Sequence, residues 1–463
     1  GGTAGQAVRD VDHAWSERTL RTNVLPAAEA AVRAGAPIVL PAAVVNDGIP
    51  VHADARLLQR LPRAEWGFGG VVMATAGEVL ALAERHRVAE TADAALALAI
   101  ESGVHVGLSP AGDDDIPSRL LRLLVEGRLA RWLVDAAVVT VLQLKLALGL
   151  FEDIASPRAP LPRPARHALA ARATAESTVL LTDPRGVLPL GGAGEVLVTW
   201  PGQTVDLSGV GALVEELAQR HPDGARAIEA ADAERTRAAA VVVVVDEPEG
   251  AEFPIGRLVA AGQPCVALVS GGDPRALGPI VATTAALVVC WQPVHGHADT
   301  FADILVGRAE PGGRLPVPIT GDGDQVVFPL GHGSGYIGVE YSHLRVSPDR
   351  GAGPPQLVVQ CRVSNTSERA GKEVVQVYLR DEVASIVRPL RLAAFTTVEL
   401  EPGRTMTVTL RIPATRLALW DRTMRHVVEP GAFTVFVGRS ATDLRLRGTI
   451  VVEAGADLTP DPG

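Results

Sequence analysis

Five consecutive valines, Val241–Val245, carry no polar residue on either face of an extended chain. Side chains of a strand alternate between two faces, so this run fits only the centre of a parallel sheet covered by helices on both sides. Glu195–Trp200, Ala238–Val245, Cys265–Val269 and Ala285–Trp291 are apolar strand runs separated by helical segments. An α/β domain is therefore expected over residues 176–335.

The chain is too long for that domain alone. Its 463 residues suggest about three units at roughly 150 residues each. Upstream, helical and strand patterns alternate from Ser16 to Leu150. Ser16 is placed to cap a helix running to about Arg33, and strands are expected at 36–42, 70–75 and 103–108. Helices are expected at 91–101, 118–126 and 129–148. Three strands are too few for a closed barrel of eight, and parallel strands buried on both faces leave an open edge. Residues 151–175 open with Pro157, Pro160, Pro162 and Pro164 and read as a linker. From Val339 short strands alternate with period two, at 356–363, 374–379, 405–412 and 432–437. That pattern predicts an antiparallel β-sandwich over 336–455, with a tail at 456–463.

Charge and cysteine content exclude several partners. Forty-three basic residues face 53 acidic ones, a net charge of -10, and no basic stripe could neutralise a phosphate backbone. No apolar run reaches the roughly 18 residues of a membrane span. Neither nucleic acid nor a membrane is an expected partner. Cys265, Cys290 and Cys361 have no close spacing, so they indicate neither a disulfide framework nor a zinc site. Residues 1–10 lack the charged-then-apolar pattern of a secretory signal, and a cytoplasmic protein is expected.

Several segments together resemble glycoside hydrolase family 3, the β-glucosidase-type enzymes. They are Ser16-Glu17-Arg18-Thr19-Leu20 with Leu25-Pro26, then Glu65-Trp66-Gly67-Phe68, and Leu146-Ala147-Leu148-Gly149-Leu150-Phe151. Gly313-Arg314-Leu315-Pro316, Phe328 to Gly333, Trp420-Asp421, Glu429-Pro430-Gly431 and Val437-Gly438-Arg439-Ser440 extend the likeness through the last domain. The resemblance implies an α/β multidomain chain covering the rear two thirds of the family architecture. Residues 1–150 would be the C-terminal part of a (β/α)8 barrel, followed by an α/β sandwich domain and a fibronectin type III-like domain.

Family members of this kind are retaining glycosidases, which use one carboxylate as nucleophile and another as acid/base. The resemblance places Thr75 where the family has its aspartate nucleophile. A neutral hydroxyl neither attacks an anomeric carbon efficiently nor stabilises an oxocarbenium ion by charge. Pro41-Ala42-Ala43-Val44-Val45 stands where the family shapes its sugar pocket with tyrosine and asparagine, and the family's Lys-His pair would fall before Gly1. The acid/base glutamate is expected in the loop after Val245, where Glu247, Glu249 and Glu252 are all candidates. Val294-His295-Gly296-His297-Ala298 replaces a polar glycine-rich family segment. His52 and Asp54 match a stretch near the pocket; they fit proton transfer or a hydrogen-bonded structural pair equally.

Other motifs have plainer readings. His295 and His297 lack the carboxylate pattern of a metal site and read as loop residues. Asp113-Asp114-Asp115 reads as a solvated turn before a helix. Gly191-Gly192-Ala193-Gly194 precedes a strand, so it fails as a phosphate loop. No cofactor and no metal is expected.

Two functions follow as expectations. In the first, a partner protein supplies the missing N-terminal half of the barrel, and a small-molecule substrate binds at the junction. The chemistry would be non-hydrolytic, elimination of a leaving group or intramolecular ring closure in specialised metabolism. In the second, the chain is a non-catalytic pseudoglycosidase that binds a sugar or stabilises a partner. True β-glycoside hydrolysis is a weaker third reading, because it needs a nucleophile from elsewhere.

Overall fold

The computed structural model describes residues 12–108, 115–151, 162–200, 207–245, 251–271, 277–291, 294–321, 325–349 and 353–459. The chain packs as two compact units. One comprises Gly1–Ala159 with Leu419–Val427 and Asp457–Gly463; the other comprises Pro160–Ala418 with Val428–Ala456.

In the first unit the Ser16 hydroxyl caps a helical stretch, accepting the Thr19 N–H at 3.2 Å. Helix α1 (Leu25–Arg33) closes this stretch, with Pro26 in its first turn, where a missing N–H costs nothing. A π-helical segment, Leu20–Val24, connects the two parts. Strand β1 (Ile38–Val39) runs parallel to β2 (Val71–Val72), with Ile38 beside Val71. The third expected strand joins this sheet through one parallel bridge, Met73 to Val106.

All three strands are shorter than the sequence suggests. Pro37 and Pro41 have no N–H to offer a ladder, and Gly103 adopts φ +110°. Helices α2 (Glu78–Glu84), α3 (Ala92–Glu101), α4 (Ile116–Val125) and α5 (Arg131–Ala147) follow. Thr91 caps α3, its hydroxyl accepting the Ala94 N–H. The core gathers Leu58, Phe68, Val72, Leu82, Leu96 and Leu123. Asp93 on α3 accepts from Arg122 at 2.6 and 2.8 Å and from Arg119 at 3.2 Å, which ties α3 to α4. Asp115 precedes α4 and pairs with Arg119 one turn on, at 3.3 Å; Asp113 and Asp114 lie outside the described residues.

The second unit opens on α6 (Arg163–Ser177), so the rear of the segment read as linker is helical. Pro164 sits in its first turn, which explains how a proline-rich approach leads into a helix. Six strands follow: β3 (Val179–Thr182), β4 (Val196–Thr199), β5 (Ala225–Ala227), β6 (Ala240–Val245), β7 (Cys265–Val269) and β8 (Ala286–Val289). Their spatial order is β3-β8-β7-β6-β4-β5, all parallel except β3. The valine strand β6 is central and every residue of it is buried, as its unbroken apolar run requires. Leu213, Leu217 and Phe301 fill one side of the sheet; Ile255, Leu258 and Ile280 fill the other.

The β-sandwich places β9 (Val339–Asp349), β10 (Gln356–Asn365) and β13 (Thr405–Ile412) in one sheet. The other sheet has the order β12-β11-β14-β15, from β11 (Gly371–Asp381), β12 (Arg391–Leu400), β14 (Gly431–Gly438) and β15 (Leu444–Val452). Strand β13 shows the strict alternation expected of a half-buried strand: Val408, Leu410 and Ile412 are buried, and the residues between them are exposed.

All three cysteines are buried thiols. Burial pushes Cys265 up to about 12 and Cys361 up to about 11, and the Cys290 Sγ donates to the Val269 carbonyl at 3.2 Å. Protonated, enclosed thiols are unreactive. A maleimide titration should label no cysteine in the native chain and three in denaturant; native labelling would contradict the packing.

Candidate functional site

Thr75 lies just beyond the end of β2, in the turn that leads to α2. Its main-chain oxygen accepts the Glu78 N–H at 3.2 Å, and Gly77 makes the turn at φ +81°. On the other side the strand at 103–108 holds this turn, because Ala74 N–H donates to Val106 O at 2.8 Å and Gly77 N–H to Leu108 O at 3.1 Å. The Thr75 hydroxyl is enclosed and has no hydrogen-bond partner among the described residues. A buried hydroxyl without a partner costs roughly 1–3 kcal/mol, so this position suits a polar visitor such as water or a ligand group.

His52 occupies the short turn Val51–Ala53 and is 2% exposed. Its Nε2 is likewise without a partner among the described residues. Burial holds its pKa below the ordinary histidine value; Glu78 opposes this shift, and His86 and Arg85 add to it. Glu78, in the first turn of α2, is 4% exposed and accepts from Arg85 at 2.7 Å. His52, on the turn Val51–Ala53, thus lies within the electrostatic reach of Glu78 in the first turn of α2 and of Arg85 at that helix's end.

Asp54 has a different task. Its Oδ1 accepts the N–H groups of Arg56 at 2.9 Å and Leu57 at 3.2 Å, capping the helical segment Arg56–Glu65. Glu252 sits in the first turn of α7 (Glu252–Ala260), in the second compact unit. Glu247 and Glu249 lie outside the described residues. The structure thus places Thr75 in the turn before α2 and Glu78 in that helix's first turn, packs the short turn of His52 against α2, and leaves Asp54 at a cap. Among the described residues no cluster of three or more His, Cys, Asp or Glu could hold a metal, and no helix is long and apolar enough to cross a membrane. His297 meets the Thr174 hydroxyl at 3.1 Å and Phe301 edge-on.

Glu78, Arg63 and His105 are the site's neighbours that the sequence did not single out. Glu78 carried a usable signal, an acidic residue in the first turn after a glycine; His105 carried another, a titratable side chain inside the apolar run Val104-His105-Val106.

Three family models match the chain. The glycosyl hydrolase family 3 N-terminal domain covers residues 3–144, the family 3 C-terminal domain 178–336 and the fibronectin type III-like domain 373–441. The chain belongs to glycoside hydrolase family 3. A periplasmic beta-glucosidase of Salmonella typhimurium is 26% identical, over 94% of this chain and 70% of its own length. A lysosomal beta glucosidase of Dictyostelium discoideum is 25% identical over 95% of this chain and 64% of its own length. The chain thus spans about two thirds of the length of these relatives. Among solved structures, a beta-glucosidase from Listeria innocua in complex with isofagomine superposes with a TM-score of 0.84 at 26% identity. That match covers 96% of this chain and 72% of the other.

Proposed function

We propose that this family 3 chain does not hydrolyse glycosides by the double displacement of its relatives, and that its Thr75 turn binds a polar small molecule for a non-hydrolytic reaction. The observation that carries this reading is the enclosed Thr75 hydroxyl at the end of β2, without a hydrogen-bond partner among the described residues, where the resemblance places a nucleophilic carboxylate. A hydroxyl there supplies a hydrogen bond without a negative charge, so an electron-poor carbon would be met by a group of the substrate itself. Ring closure or elimination is the matching reaction class.

The same proposal includes a complementing polypeptide. Helix α5 has no buried residue, and Trp132, Val139 and Leu146 on it are 68, 51 and 61% exposed. Leu40, beside β1, is 55% exposed. Apolar exposure of this extent calls for a cover, and a segment that completes the barrel provides one. A cytoplasmic location is part of the proposal, to be checked by cell fractionation. A non-catalytic sugar-binding role is the alternative that the partnerless hydroxyl also accommodates.

The test is an assay of the purified chain, alone and with whatever copurifies from its host, on aryl β-glucosides and β-xylosides. Turnover is expected at background in both cases, with isofagomine or gluconolactone binding measurable by calorimetry. Robust turnover by the pure chain would overturn the proposal. Binding without any product from host extracts would move the reading to the non-catalytic alternative.

A further inference from the structure

The strand at 103–106 is fixed to β2 by a side chain whose bonding capacity does not match its surroundings. The His105 Nδ1 lies 3.0 Å from the Val72 N–H, and its Nε2 lies 3.0 Å from Nη2 of Arg63. Both neighbours are donors. A neutral imidazole has one lone pair to offer, so it satisfies only one of them in either tautomer. A protonated imidazolium offers none and places a second cation against Arg63. The guanidinium has no easy retreat: it also donates to Phe68 O at 3.1 Å and Gly70 O at 3.2 Å, and stacks over the Phe68 ring.

Among the described residues no carboxylate relieves the pair. From the segment Arg56–Glu65, Glu65 is held bidentate by Arg21 and Arg56 is paired with Glu17. Strand β2 brings no titratable group. Asp93 on α3 is bound by Arg119 and Arg122, Glu78 on α2 by Arg85, and on α5 Arg131 pairs with Asp135.

We propose that His105 is a pH-sensitive latch: neutral, it keeps the strand at 103–106 zipped to β2, and on protonation it releases that strand together with the turn that carries Thr75. The connection to the turn is direct, because Val106 O and Leu108 O hold the N–H groups of Ala74 and Gly77 on either side of Thr75. The local environment agrees in direction: burial first, then Arg63, holds His105 down to about 4. Its folded value lies below the ordinary 6.5, so the closed form binds fewer protons than the open form. The latch is therefore fully closed above about pH 6.5 and is lost progressively as pH falls toward 4.

Hydrogen exchange of the full chain at pH 7.5 and 4.5, corrected for intrinsic rates, tests this. With a value of about 4 closed and 6.5 open, protection at residues 71–74 and 103–106 should fall about 70-fold. His105→Asp gives both donors a carboxylate, and His105→Asn removes the titration; each should reduce that loss to less than threefold. Unchanged wild-type protection at pH 4.5 would overturn the latch, as would equal losses in wild type and in whichever variant folds.

Discussion

Replacing Glu373 by Ala is expected to cost about 3–5 kcal/mol and to loosen the packing of the β-sandwich on the α/β domain within the second unit. Glu373 on β11 is fully buried, and three partners converge on it from different parts of the chain. The Tyr341 hydroxyl of β9 donates at 2.8 Å, Arg439 at the end of β14 approaches to 3.3 Å, and Arg314 from the segment after α8 (Ala298–Leu305) approaches to 3.4 Å. Arg314 is itself 8% exposed at the side chain, and burial holds it below its ordinary value. Removing the carboxylate would take the main counter-charge from two guanidinium groups, the buried Arg314 above all. Urea unfolding of Glu373→Ala measures the loss. Glu373→Leu combined with Arg314→Met and Arg439→Leu should recover a large part of it, because a well-packed apolar cluster needs no counter-ion. If Glu373→Ala unfolds within 1 kcal/mol of wild type, the node does not carry the packing assigned to it.

Much of the second unit was legible because its signals are local and redundant. The valine strand declared its own covering by having no polar face, and it is central in the sheet. Strand β3, which closes that sheet antiparallel, has only four residues and no alternation, so nothing in Val179–Thr182 distinguished it from the end of a helix. Strand β12 escaped for another reason. Its register against β11 shifts between Val377 and Tyr378, and the irregularity breaks the period-two pattern that marks an edge strand.

The site was legible only in part, and the limit is long-range. Thr75 could be placed by resemblance, and His52 drew notice as a titratable residue near it. That the Thr75 hydroxyl and the His52 Nε2 have no hydrogen-bond partner among the described residues is a property of packing that no spacing encodes. The capping role of Asp54 is the opposite case: a carboxylate two residues before the Arg56–Glu65 segment is an ordinary N-terminal signal that a functional reading overlooks. His105 needed Arg63, 42 residues earlier, before its mismatch had any meaning.

Arg21→Ala is expected to be the second large loss, about 2–3 kcal/mol, confined to the first unit. Arg21 donates to Glu65 at 2.6 and 2.8 Å and to Glu17 at 2.5 Å, and lies 4.8 Å from the Trp420 ring centroid. Those charged bonds lift it above its ordinary value against the cost of its own burial. Glu65 is correspondingly held below the usual carboxylate range, chiefly by Arg21. Trp420 stacks on His426 in the hairpin Leu419–Trp420 with His426–Val428, and Arg18 donates to the carbonyls of Trp420 at 3.0 Å and Asp421 at 2.8 Å. Two sequence motifs about 400 residues apart, Glu17-Arg18-Thr19 and Trp420-Asp421, are thus two halves of one lock. Acid should weaken it in a defined direction. Glu65 is depressed in the folded chain, so its contribution is complete above the unfolded carboxylate range and disappears as pH falls through its folded value. Arg21→Lys separates charge from geometry: one ammonium cannot make the bidentate contact, and about half of the loss should remain. Exchange at residues 17–24 and 419–427 should rise together in both variants. A rise on one side of the lock alone would show that the hairpin is held by its own stacking and not by Arg21.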